Sequence, residues 1–327
     1  MKKSIGLFGF GEVAKGFYKA LAANQQLNIE IKTICVKDDQ KPRDLNQNIF
    51  TADPSAILDD PEIDVVVELI DDASAAYSIV KQSLENGKAV ISANKKMIAE
   101  HIDEVAQWHQ TYSQSFLYEA AVGGSIPILH NLEQFFKQQD VSKIRAILNG
   151  STNYILTQMQ ANGLTYEEAL ELAKSNGFAE SDPTLDISGK DALYKLIILA
   201  YHAFGETVTD LNQVRVESIT NMEDQFYDLA KAQGLKIKSI ATAHKKNGNL
   251  TIKVQPELIS PEDDLFGIEF ENNAVVVEAN YSGKQIFTGK GAGSLPTGSA
   301  VINDLSLLLS GFRYGQNGTK RSLKKSA

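Results

Sequence analysis

A short apolar run, residues 4–8, leads directly into Gly9-Phe10-Gly11-Glu12-Val13-Ala14, and a helical pattern then continues to Leu21. This is a GxGxxA fingerprint between a strand and a helix. The first glycine permits the tight turn, the second lets a pyrophosphate approach the backbone, and Ala14 lets the helix pack closely on the strand. The start of the helix then offers free N–H groups to phosphate. In this context Gly9, Phe10, Gly11, Glu12 and Val13 read as a dinucleotide site; the alternative is a glycine-rich turn with no ligand. Residues 29–36 form the next strand, and its end should meet the adenosine ribose. An acidic residue there suits NAD, a basic one the extra phosphate of NADP. The order is Val36-Lys37-Asp38-Asp39. Lys37 comes first, which favours NADP over NAD unless its side chain points to solvent.

The pattern continues as alternating strands and helices. Residues 53–59 suggest a short helix closed by Pro61, and residues 64–70 a valine-rich strand of parallel-sheet character. Asp71-Asp72 follows at its carboxyl end, where open α/β sheets bind ligands. A helix to Glu85 stops at Asn86-Gly87, and a strand at 88–91 runs into Ser92-Ala93-Asn94-Lys95-Lys96. Lys95 is placed to reach a cofactor or substrate, or else belongs to a surface lysine pair. A helix through Tyr112 and a strand at 115–118 precede Glu119-Ala120-Ala121-Val122-Gly123-Gly124-Ser125-Ile126-Pro127. This carboxylate and its glycine-rich backbone suit a hard cation, or form only a connector.

After Val141 the pattern changes. A strand at 144–148 leads through Asn149-Gly150-Ser151-Thr152-Asn153-Tyr154 into a helix with an expected Ser/Thr cap. Helices continue to Asn176, and strands alternate from Leu235, with hairpin turns at 245–248 and 281–284. Glycines 289, 291 and 293 then precede an apolar helix at 300–309, a second backbone-rich anion site that returns the chain to the first domain. The expected class is α/β: a Rossmann-type doubly wound parallel sheet with a second α+β domain on a mainly antiparallel sheet. Residues 1–128, completed by 290–327, would bind the dinucleotide, and 129–289 would carry dimerisation and catalysis.

The stretch 177–199 of that second domain carries the most chemistry. Glu180, Asp182 and Asp186 crowd around Pro183, and a helix follows that is nearly all apolar after Lys190. A helix that apolar is expected to be buried. Yet Asp191 and Lys195 lie on one face of it, four residues apart. A buried lysine is costly unless paired or working. The alternative is an ordinary surface ion pair beside a solvated acidic loop.

Composition narrows the function further. The chain has 327 residues and a net charge of −9, which argues against a nucleic-acid partner, since that would need a basic face. No run approaches the ~20 apolar residues of a membrane span. The single cysteine, Cys35, lies inside a strand, excludes an internal disulfide and fits a reducing, cytoplasmic setting.

Together these pieces resemble the homoserine dehydrogenase family. Ala-Asn-Lys at 93–95, Glu-Ala-Ala-Val-Gly-Gly at 119–124, Asn-Gly-Ser-Thr-Asn-Tyr-Ile at 149–155 and Gly-Ala-Gly-Ser-Leu-Pro-Thr at 291–297 carry the likeness. Most specific is Ala-Glu-Ser-Asp-Pro-Thr-Leu-Asp-Ile-Ser-Gly-Lys-Asp-Ala-Leu-Tyr-Lys-Leu at 179–196. The resemblance implies NAD(P)-dependent interconversion of L-homoserine and L-aspartate 4-semialdehyde, a step toward threonine, methionine and isoleucine. It implies Lys195 as the acid/base group and Lys95 near the nicotinamide. Glu180 would hold the substrate amino group, Asp186 and Asp191 would line the pocket, and Gly177 would edge the substrate loop. Ile70, Gly291 and Gly293 would join the cofactor contacts. Glu119 with carbonyls of Val122, Gly124 and Ile126 would match a monovalent-cation site for Na⁺ or K⁺. A homodimer is the implied assembly.

Two departures stand out. Asp71-Asp72 replaces the family's usual Gly-Gly, so this loop is expected to turn away from the phosphates. The chain also stops soon after its last helix, so neither an ACT domain nor an aspartate-kinase fusion is expected, nor threonine inhibition through such a domain. Aspartate-semialdehyde dehydrogenase chemistry would need a pocket cysteine, which Cys35 does not supply. The remaining alternatives are a dehydrogenase of another small hydroxy compound and a nucleotide sensor without turnover.

Overall fold

Valine and isoleucine crowd the short strands of the amino-terminal part, and these strands all run parallel. β1 (Lys3–Phe8), β2 (Ile29–Cys35), β3 (Phe50–Thr51), β4 (Val65–Glu68), β5 (Ala89–Ser92) and β6 (Phe116–Leu117) lie in the order β3-β2-β1-β4-β5-β6. The direction of winding reverses between β1 and β4, the switch point at which doubly wound sheets bind ligands. Val65, Val66 and Val67 are at most 1% exposed, as strands covered on both faces require. Helices α1 (Glu12–Ala23), α2 (Ser55–Leu58), α3 (Ala73–Glu85), α4 (Lys95–Glu100) and α5 (Ile102–Thr111) alternate with them. The structure is a computed structural model and describes residues 3–211, 214–222 and 224–315.

The chain forms two units. The first runs to Ser125 and resumes at Gly293; the second is Ile126–Ala292. The second contains α6 (Ile128–Gln134), β7 (Val141–Ile147), α7 (Gly150–Asn162), α8 (Tyr166–Ser175), α9 (Thr184–Ile187) and α10 (Lys190–Phe204). β8 (Arg215–Val216), α11 (Asp224–Gln233), β9 (Lys236–Lys246), β10 (Asn249–Ile259), β11 (Asn272–Ala279) and β12 (Gly283–Lys290) follow. Its sheet has the order β12-β11-β7-β9-β10-β8. The pairs are antiparallel except that β8 lies parallel to β10, which makes the sheet mixed. Asn247 and Gly248 close the β9–β10 hairpin at φ 52° and 83°, the left-handed pair that a two-residue turn demands.

α12 (Ser294–Leu309) belongs to the first unit and packs against α1. The approach is close: a Cβ on Gly16 would fall 1.9 Å from the carbonyl oxygen of Ser294, and one on Gly298 2.5 Å from the backbone at Gly16. α12 starts before the expected residue 300. Pro296 sits in its first turn, where a missing N–H breaks no helical bond. At α7 the cap is Asn149, whose Oδ1 accepts the Thr152 N–H at 2.8 Å, and not a Ser or Thr.

Candidate active site

In the second unit, the end of β7 and the start of α10 assemble one polar cluster inside an apolar surround. Every residue of α10 from Asp191 to His202 is buried, so Lys195, 8% exposed, has little access to water. Its Nζ donates to Asp191 Oδ2 at 2.7 Å and to the carbonyl of Leu148 at 2.8 Å. Asn149, the next residue after Leu148, donates both Nδ2 hydrogens, to Asp191 Oδ2 and to Asp186 Oδ1, each at 2.8 Å. One amide therefore holds two carboxylates and, through Asp191, the lysine. Burial raises the Asp186 carboxyl above its usual range, and the nearby Asp191 charge adds to this. Burial of Asp191 and Lys195 without each other would be costly, and the pair answers that cost. Pro183 stands immediately before α9, which carries Asp186. Glu180 and Gly177 lie outside this cluster, on the exposed loop that leads to it; Gly177 has φ 74°.

In the first unit, most of the other expected residues follow the carboxyl ends of the parallel strands. Gly9 turns at φ 89°, and a Cβ there would strike the Leu69 carbonyl at 2.7 Å. A Cβ on Gly11 would meet nothing within 4 Å, so the space over the start of α1 is open. Gly11 caps α1 and Gly293 caps α12, neither with a side-chain hydrogen bond. Ser294 Oγ donates to the Glu12 carbonyl at 2.6 Å, which brings the two helix starts together. Two uncapped helix amino termini around open space fit the pyrophosphate of a dinucleotide. Phe10 packs edge-on to Phe50 at 5.4 Å, and Val13 packs on the core. Gly291 belongs to the second unit and is glycine for packing: a Cβ would overlap the buried Asn273 amide.

Lys37 is exposed just after β2. Sequence reasoning passed over Arg43, further along the same loop. Its guanidinium stacks 4.6 Å over the Phe50 ring and donates to the carbonyls of Asp38 and Lys41. The signal was available, since an arginine near the ribose pocket is the expected reader of a 2′-phosphate. Asp72 explains the departure at 71–72. It caps α3, accepting from Ser74 and Ala75 N–H at 3.1 and 3.0 Å. The Ala75 amide in particular holds its carboxyl below the usual range. Its charge is thus spent on a helix start.

Lys95 opens α4 behind the cap Asn94 and is half-buried. Ile70 follows β4, with its N–H on Glu68 Oε1 at 2.7 Å. Glu119 is 1% exposed and opens a 3₁₀ turn; its N–H donates to Asp304 Oδ2 at 2.9 Å. Val122 is buried, and Gly123 and Gly124 carry φ 74° and 57°; Ile126 opens the second unit. Among the described residues there is no cluster of three or more His, Cys, Asp or Glu able to hold a metal ion. Cys35 is buried, and burial pushes its thiol up to about 11, so it is protonated and inert near neutral pH.

Comparison with known proteins decides the family. The homoserine dehydrogenase profile matches residues 127–306, and the profile of the homoserine dehydrogenase NAD-binding domain matches 9–119. The chain belongs to the homoserine dehydrogenase family. Its members are NAD(P)-dependent oxidoreductases acting on a CH–OH group. The homoserine dehydrogenase of Bacillus subtilis is 35% identical over 96% of this chain and 74% of its own length. That of Synechocystis is 36% identical over 93% and 73%. The crystal structure of the Thiobacillus denitrificans homoserine dehydrogenase superposes with a TM-score of 0.89 at 33% identity, covering 94% of this chain and 73% of that one. A hyperthermophilic archaeal homoserine dehydrogenase in complex with NADPH superposes at 0.82 with 25% identity, over 96% and 99% of the two chains. Among the described residues no helix is long and apolar enough to cross a membrane.

Proposed function

We propose that this chain interconverts L-homoserine and L-aspartate 4-semialdehyde with NADP or NAD, and that Lys195 is its acid/base residue. One observation carries the assignment: a buried ammonium with two hydrogens placed, on Asp191 and Leu148, and a third left for a substrate oxygen. When bound, the nicotinamide supplies or accepts the hydride at the substrate carbon. In reduction Lys195 gives its proton to the aldehyde oxygen as negative charge develops there. In oxidation the neutral amine takes the hydroxyl proton. Asp191 holds Lys195 in place, and Asp186 lines the pocket beside it. Lys95 is assigned as the second cation, which would stabilise the alkoxide near the nicotinamide.

The first unit, from Gly9 to Val13 with Ile70 and Gly293, is the cofactor half in this reading, joined by Gly291. The second unit is the catalytic half. Lys37 and Arg43 favour NADP over NAD. Glu119 with carbonyls of Val122, Gly124 and Ile126 is the site for Na⁺ or K⁺. The setting is the cytoplasm and the pathway that of threonine, methionine and isoleucine. Assays with NAD and NADP, with and without Na⁺ or K⁺, test these assignments; equal rates in all of them would remove both the Lys37 and the cation readings.

Glu180 and Gly177 form the lip of the substrate loop, and Glu180 would hold the substrate ammonium. Glu180→Ala therefore raises the homoserine KM roughly 10- to 100-fold, the scale of a lost charged hydrogen bond. Loss of kcat at unchanged KM would assign Glu180 a different role. A homodimer is also part of this reading, supported by the edge strand β12 with Ile286 47% exposed and by Phe135 and Tyr281, 54% and 80% exposed, in the same unit. Sedimentation at micromolar concentration should give twice the chain mass, and a monomer would contradict it.

A further inference from the structure

One buried carboxylate plays no part in the chemistry above. Glu68 ends β4 and is 0% exposed. Its Oε1 accepts the N–H of Ile70 at 2.7 Å, and Oε2 accepts the hydroxyl of Ser92, at the end of the neighbouring β5. Ser92 Oγ in turn accepts the N–H of Asn94 at 3.0 Å. Asn94 then donates its side-chain amide to the carbonyl of Ile70 at 3.0 Å, and its Oδ1 accepts the Met97 N–H that starts α4. The bonds close a ring: Glu68 to Ser92, Ser92 to Asn94, Asn94 to Ile70, and Ile70 back to Glu68. The ring joins the two loops at the carboxyl ends of β4 and β5, and Lys95 is the residue next to it.

We propose that Glu68 is a positioning residue that sets the placement of Ile70 and Lys95 together. The proposal rests on the reading of these loops as cofactor-facing. In its ionised form the Glu68 carboxylate only accepts hydrogen bonds, so it turns the Ser92 hydroxyl toward itself and leaves a Ser92 lone pair for Asn94. A neutral amide in its place allows the Ser92 hydroxyl to reverse, and position 68 no longer serves as the double acceptor that closes the ring. The choice of an acid is costly here, since burial pushes the Glu68 carboxyl up to about 7. At the opposite end of the sheet, Lys88 is also buried and donates to the carbonyls of Ile63 and Asp60, but it touches no strand carboxyl end. It provides the control for a purely structural staple.

The experiment compares wild type, Glu68→Gln, Glu68→Ala and Lys88→Met. NADPH dissociation constants are measured by nucleotide fluorescence, thermal melts give stability, and hydrogen exchange of the 93–97 amides is followed without nucleotide. Glu68→Gln is expected to melt near the wild-type temperature, to exchange faster at 93–97 and to bind NADPH about tenfold more weakly. Lys88→Met is expected to lose melting temperature and keep its NADPH affinity. Wild-type affinity and exchange in a folded Glu68→Gln would overturn the proposal. So would weakening that follows melting temperature equally across all three variants. Wild-type protein that binds no nucleotide would overturn the cofactor reading and this proposal with it.

Discussion

Lys195→Ala lowers kcat for L-homoserine oxidation by ~10²-fold or more, the scale on which positioned acid/base groups act, and leaves NADPH affinity unchanged. The expectation follows from what the ammonium alone supplies. The carbonyl of Leu148 and the amide of Asn149 orient groups but exchange no proton at neutral pH. Alanine also leaves Asp191 buried without its cation, and breaking such a pair costs about 3–5 kcal/mol. Lys195→Gln separates the two effects. Its amide keeps hydrogen-bond donors beside Asp191 but not the charge, so part of the stability should be retained while the proton transfer is lost. Both variants should therefore be slow, and alanine, which leaves Asp191 without either charge or donor, should be the less stable of the two. A glutamine variant with near-wild-type kcat would remove Lys195 from the mechanism and leave Lys95 as the candidate proton donor.

Gly16→Ala lowers the melting temperature by roughly 6 °C or more, from about 3 kcal/mol of lost stability. Two effects oppose each other. Alanine is the better helix former by about 1 kcal/mol. Against this, its Cβ would lie 1.9 Å from the Ser294 carbonyl oxygen, a backbone atom at the start of α12. Backbone cannot swing aside as a flexible side chain would, so α1 and α12 must separate. Because the amino termini of these two helices adjoin through Ser294 and Glu12, NADPH affinity should fall along with stability. Thermal melting with and without nucleotide checks both. A raised melting temperature, as propensity alone would give, contradicts the close-packed account of the two helices.

The features that sequence reasoning reached are those written locally. Gly9 to Ala14 declares its turn and helix start within six residues, and Asn247-Gly248 declares a two-residue hairpin because few residues tolerate that backbone. Lys195 and Asp191 were legible from helical spacing and the apolar residues around them. The helix start at 149–154 was visible, with its cap expected at a Ser or Thr; the work of Asn149 on Asp186 and Asp191 depends on residues 37 and 42 positions away. The Gly16 contact with α12 and the ring around Glu68 are likewise tertiary, and no periodicity encodes them. Asp72 is a different case. Sequence reasoning weighed its charge against phosphate and overlooked that an aspartate ahead of Ala73-Ser74-Ala75 is a ready helix cap. The early start of α12 is hard to see in the sequence because the apolar run begins only at Ala300, although a first turn accepts Pro296.

The measurement closest to the central claim is the initial rate of reduced-nicotinamide formation when L-homoserine is added to wild-type protein with NADP. L-serine and L-threonine serve as alternative hydroxy amino acids, and Lys195→Gln is run in parallel. The account predicts turnover with L-homoserine well above that with the other two, and a loss of ~10²-fold in the variant. Folded, nucleotide-binding wild-type protein that turns over none of them, or prefers another hydroxy compound, would contradict the assignment of substrate while leaving the dinucleotide fold in place.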